Sequence, residues 1–149
     1  MKIRILGFNF TKISIEKLND IDFENLKINT NIDIPNINKL DSDLLKTKDE
    51  ILDIKFNYII DYEPNFVKIE LSGNIILSID LKTTKEILKK WEDKQMSEDF
   101  KIGLFNLILR KANIKAIQLE DELNIPLHIR LPTLKKQEIQ KEKSEEKQE

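Results

Sequence analysis

Apolar and polar residues alternate with a period of two through much of the first half of the chain, the pattern of strands with one buried face. Leu26, Ile28, Thr30, Ile32 and Ile34 alternate with Lys27, Asn29, Asn31 and Asp33, and Pro35 predicts the end of that strand. Leu52, Ile54, Phe56, Tyr58, Ile60 and Tyr62 form a second run, and Val67, Ile69, Leu71, Ile75, Leu77 and Ile79 a third. Between these two stands Glu63-Pro64-Asn65. Its Pro presets φ for a turn and its Asn tolerates the next position, so the two runs are predicted to pair as a hairpin. Gly73 interrupts the apolar face of the third run and marks a bulge or a close backbone approach. The opening stretch is less regular. Ile3 and Ile5 share one parity, Phe8 and Phe10 the other, and Ile13 and Ile15 the first again. Two changes of parity predict bulges near Gly7 and near Thr11-Lys12 in one long, bent strand.

The period then changes to that of helices. Thr83 and Glu86 have capping-box spacing, which predicts a helix starting at Thr83 with Ile87, Leu88 and Trp91 on one face. Ser97 is placed to cap a second helix whose first turn holds Glu98 and Asp99. Phe100, Gly103, Leu104, Leu107, Ile108 and Lys111 make its stripe, with Ile102, Phe105 and Leu109 beside it, so this helix is expected to be largely buried. A shorter helix is expected from about Lys115 to Leu123, stopped by Pro126. Residues 125–132 alternate Ile or Leu with polar residues and Pro, and read as an edge strand or a segment lying in a groove. Strands followed by helices predict an α+β fold: a bent four-stranded antiparallel sheet followed by a C-terminal helical layer. Residues 1–134 are expected to form one domain. Residues 135–149 are almost all Lys, Glu and Gln and are expected to be disordered or a loose helix.

Composition narrows the partners. The 149 residues suit one domain, and the absence of cysteine removes disulfides, thiolate nucleophiles and cysteine-bound zinc. Net charge is −2 and arginine occurs only at 4, 110 and 130, so a nucleic-acid partner is not expected. The opening MKIRILGFNF has no apolar run of signal-peptide type. No stretch approaches the about 20 apolar residues of a membrane span. A cytoplasmic chain without a membrane partner is the expectation.

Candidate chemistry is sparse. His128 is the only histidine and sits between Leu127 and Ile129 with no serine or cysteine motif, so it is expected to point into solvent. Glu120 with Asp121 and Glu122 lies on a helix near Lys115 and reads as a solvated face. Asp41-Ser42-Asp43 begins like a calcium loop, but Lys46 and Leu52 stand where that loop needs Gly and Glu. These three are better read as turn and cap residues before Leu44-Leu45, in a long loop from Asn36 to Glu50. Three unclustered glycines make no phosphate-binding loop. No catalytic residue, metal or cofactor is expected, and the chain is read as a non-enzyme. What remains is apolar excess: Phe8, Phe10, Phe23, Phe56, Tyr58, Tyr62 and Phe66, with Ile59 and Ile76 on the polar face of the sheet. Either one core absorbs all of it, or part forms an oligomer interface or a binding groove.

The string Phe10-Thr11-Lys12-Ile13-Ser14-Ile15-Glu16 is similar to the first strand of SecB chaperones. Residues 125–132 resemble the Pro-punctuated apolar link after the long helix of that family. With the order of elements, the resemblance spans about residues 8–134. It implies a SecB-like fold and an ATP-independent holdase that forms homodimers or homotetramers. Such a holdase binds unfolded client polypeptides in apolar grooves and uses no cofactor. A client groove is then expected on the first two strands and the loop after Pro35, with Phe8, Phe10, Phe23, Ile32 and Ile34 as candidates. The chain departs from SecB in its near-neutral charge and in a Lys/Glu tail without glycine, so a holdase outside the export route is the safer expectation. The alternative is a small oligomeric adaptor domain for one folded partner, without chaperone activity.

Overall fold

The computed structural model of the chain describes residues 2–41 and 48–136. The period-two runs form β1 (Ile3–Lys17), β2 (Lys27–Leu40), β3 (Glu50–Glu63) and β4 (Val67–Ile79), and the helical half forms α1 (Leu81–Trp91) and α2 (Glu98–Glu122). All strand pairs are antiparallel, in the order β1-β4-β3-β2. The first two strands of the chain are therefore the opposite edges of the sheet, and the hairpin β3–β4 is its centre. The alternating apolar residues of β3 and β4 are buried and form the core with Ile87, Phe100, Leu104 and Ile108 of the helices. Ile59 and Ile76 lie half-buried among polar neighbours on the other face.

Register explains the irregular first strand. Ile3, Ile5, Phe8, Phe10, Ile13 and Ile15 stand opposite Ile79, Leu77, Ile75, Gly73, Leu71 and Ile69, all on the helix side. Shifts between Ile5 and Gly7 and between Phe10 and Lys12 reset the phase twice, as the parity changes predict. Gly73 is a point of close approach. A Cβ built there would lie 1.9 Å from the carbonyl oxygen of Asn9 on β1, so only glycine fits without moving a backbone. The rings of Phe8 and Phe10 meet Phe56 at centroid distances of 5.1 and 6.3 Å around this position. Gly73, the register partner of both Phe10 and Phe56, contributes no side chain there.

Pro35 does not end β2. The strand continues to Leu40, with a bulge between Asp33 and Asn36 that returns Ile37 to the core opposite Ile54. Proline is tolerated because β2 has a neighbour on one side only, and its missing N–H falls at a bulge. The expected loop from Asn36 is thus strand as far as Leu40; Ser42, Asp43, Leu44 and Leu45 lie outside the described residues, as does the tail from 137 onward.

The turn after Tyr62 closes the central hairpin through the Phe66 amide and the Tyr62 carbonyl at 2.8 Å, with Asn65 at φ 59°. The cap of α1 is Asp80, not Thr83: its carboxylate accepts from the amide and hydroxyl of Thr83 at 3.1 and 2.8 Å. Those hydrogen bonds hold the Asp80 carboxyl below its usual range. Ser97 caps α2 as expected. The two predicted helices beyond it are one helix of 25 residues, because Ala112, Asn113 and Ile114 contain nothing that breaks a helix.

Candidate functional site

The buried residues of α2 are Phe100, Leu104, Ile108, Ala112, Ala116 and Glu120, one in every four. Four residues turn a helix about 40° beyond a full circle, so this stripe winds by about 200° from end to end. Phe100 and Leu104 face the sheet near the start of β1, while Glu120 is carried round toward the chain that follows the helix. That chain reverses at Asn124, which adopts φ 52°, the left-handed residue common after a helix end. Ile125 then drops into the core.

Residues 125–132 do not add a strand; they lie against β3 and the end of α2 as a segment without regular structure. Two side-chain fastenings hold it. The Tyr62 hydroxyl donates to the Pro126 carbonyl. Glu120 Oε1 accepts the main-chain N–H of His128 at 2.9 Å, and His128 Nδ1 lies 2.7 and 2.8 Å from the two carboxylate oxygens. On the far side of the ring, Nε2 is 2.9 Å from Asn113 Oδ1, which also accepts from the Tyr58 hydroxyl at 2.6 Å. Asn113 Oδ1 thus meets both the Tyr58 hydroxyl and the His128 ring, which is held between this amide and the Glu120 carboxylate. The side chains of His128 and Glu120 are 2% and 0% exposed.

Two expectations are corrected here. His128 does not point into solvent, and Glu120 is not on a solvated face. Each is buried with the other as its hydrogen-bond partner, since a buried polar group without one is costly. Sequence spacing gave no sign of the pair, because the turn at Asn124 brings together residues eight apart. Both ring nitrogens of His128 are engaged, and the contacts fasten the segment after α2 to the body of the fold. Burial first, and the Glu120 charge second, push the Tyr58 phenol up from 10.0 to about 12 and raise Tyr62 as well. Among the described residues no buried side-chain polar atom lacks a hydrogen bond, and no group of three or more His, Cys, Asp or Glu is placed to hold a metal.

The five candidate client residues fall in three places. Phe8 and Phe10 are half-buried on the β1 edge, against Phe56. Ile32 is half-buried and Ile34, at 7% exposure, is buried at the opposite edge. Phe23 stands out at 70% exposure in the β1–β2 connection. Its turn is fixed by Asp22, which accepts from the Glu24 amide at 3.1 Å and the Asn25 side chain at 2.7 Å. The connection is tied to the central hairpin through Asn19 and Asn65 at 2.8 Å. Further apolar surface, missed in the sequence, lies where β1 meets α2: Ile3, Ile5, Leu77, Phe100, Gly103 and Leu107 line a cleft of about 230 Å³, and Ile5 is 53% exposed. Among the described residues no helix is long and apolar enough to cross a membrane.

No family model matches the chain, and no curated protein matches it. Among solved structures it is similar to the Mycobacterium tuberculosis SecB-like chaperone Rv1957 in complex with a ChAD peptide from the Rv1956 HigA1 antitoxin. The match covers 89% of this chain and 88% of that one, with a TM-score of 0.58 and 11% identity. The fold is SecB-like, α+β, with a four-stranded antiparallel sheet and two helices.

Proposed function

We propose that this chain is a SecB-like, ATP-independent holdase that binds unfolded or partly folded polypeptides through apolar surface. The observation that carries the reading is the fold: nearly nine tenths of the chain follows a chaperone whose structure holds a bound peptide. Exposed apolar side chains on a sheet-and-helix body are compatible with it. On this reading Phe23 is the protruding anchor. Phe8 and Phe10 offer ring edges at one sheet edge, and Ile32 with the buried Ile34 beneath it shapes the other. The chain acts as a homodimer or homotetramer in the cytoplasm, with no enzymatic activity, cofactor, nucleic-acid or membrane partner, and outside the export route.

The test is suppression of heat aggregation for several unrelated clients at one chain per client, with sizing of the purified protein. Protection of all of them by an oligomer supports the holdase. No protection, or a strict monomer, refutes it. The peptide in the similar structure comes from a single antitoxin, which favours as a second reading an adaptor dedicated to one partner. Binding of one partner with no protection of unrelated clients selects that reading.

A further inference from the structure

Among the described residues Glu120 is the one charged residue in the core, and the proposed client surface makes no use of it. Its bonds to His128 secure the segment after α2. That segment has no ladder and no helix of its own over 125–132. Beyond the buried Ile125 it is fastened at Pro126 by Tyr62 and at His128 by Glu120 and Asn113. Beneath it lie Tyr62 and Tyr58; the His128 and Tyr58 rings meet edge-on at 6.5 Å. The register partners of Tyr62 and Tyr58 on β2 are Ile28 and Ile32, both half-buried at the free edge of the sheet. Lifting the segment joins two aromatic rings to these two side chains in one apolar strip.

We propose that the Glu120–His128 pair is a latch, which keeps residues 125–130 closed over this strip and whose release opens it to an extended apolar client. The idea rests on the holdase reading for its occupant, though not for the latch itself. A segment held by a few side-chain bonds at a chain reversal opens locally, without unfolding the sheet, once those bonds are lost. The strip then exposed is long, apolar and open at one side, the shape that accepts an unfolded chain.

The experiment compares the native full chain with His128→Gln by amide hydrogen exchange and by binding of a reduced, alkylated, permanently unfolded model protein. His128→Gln should accelerate exchange over residues 127–130 by about tenfold or more, and leave the amides of β3 and β4 unchanged. It should also tighten client binding about fivefold, which a merely structural residue would not do. Should His128→Gln fail to fold, Tyr62→Phe removes the fastening at Pro126 while leaving the His128 bonds to Glu120 and Asn113, and should give a smaller acceleration, about threefold, in the same segment. Unchanged exchange in the folded variant overturns the latch, as does acceleration spread evenly over β3 and β4. An opened segment with unchanged or weaker client binding overturns its role in client access. A native protein that binds no client refutes the holdase reading, while exchange still decides the latch.

Discussion

The chain has two tyrosines, and both are in the buried cluster, so their ionisation reports on it without any label. Raising pH is the perturbation. Burial, then the nearby Glu120 charge, moves Tyr58 from 10.0 to about 12, and the same two causes raise Tyr62. At pH 11 a tyrosine in water is about 90% phenolate, whereas Tyr58 in the fold is only about 10%. Below pH 10 the folded and unfolded chains both hold these protons, and stability does not depend on them. Between pH 10 and 12 the unfolded chain releases protons that the folded chain keeps. Stability therefore falls as pH rises, by about 1.4 kcal/mol per pH unit for each tyrosine. Phenolate absorbance and far-ultraviolet circular dichroism, followed together against pH, make the assay. The expected result is almost no phenolate at pH 11 while the fold persists, and then both phenolates appearing with the loss of secondary structure. Phenolate forming with a midpoint near pH 10 in a protein of intact dichroism would refute the cluster.

Gly73→Ala forces a Cβ onto the Asn9 carbonyl, and should cost about 1–3 kcal/mol or more in urea unfolding as β1 is pushed from β4. An unchanged midpoint would mean that β1 does not approach β4 this closely. Phe56→Ala empties the centre of the ring cluster and should cost about 3–5 kcal/mol by the same measurement. Hydrogen bonds from Lys12 and then Lys68 hold Glu70 below its ordinary value of 4.5, and those from Thr83 hold Asp80 below 3.8. Their contribution is present above those values and is lost as pH falls through the lower folded ones, so the urea midpoint should drop in that acid range, and less so in Asp80→Asn. Phe23→Ser should leave stability within about 0.5 kcal/mol, since the side chain is exposed, yet weaken client binding measurably by fluorescence anisotropy.

Parity carried most of the sheet. The phase changes in β1 predict both of its bulges because an apolar residue on the wrong parity is wrong only if the strand is regular. The same signal is present in β2, where Ile37 follows Ile34 by three, and it points to a bulge and a strand that runs past Pro35. Proline outweighed it, although an edge strand forgives proline. The helix starts were legible to within one turn, and the Asp80 cap was missed because Thr83 and Glu86 imitate a capping box from inside the helix. The Glu120–His128 pair was not legible. Its two members look like solvated polar residues until the winding stripe of α2 and the reversal at Asn124 place them face to face. A carboxylate at a buried one-in-four position, followed closely by the chain's lone histidine, is the signal that could have drawn attention to it.

The bulges fall on the two outer strands, and the register between β3 and β4 is unbroken. An outer strand with a flat, regular row of free amides and carbonyls is a template on which other extended chains can stack. Here β1 is kinked twice and β2 once, with Pro35 removing a donor at the kink. A client held along either margin meets an interrupted ladder, so side-chain contacts rather than a continuous main-chain ladder must hold it. Such contacts tolerate many sequences and release without unzipping a sheet. The same irregularities that reset the hydrophobic phase thus keep this protein from seeding the aggregation it is proposed to prevent.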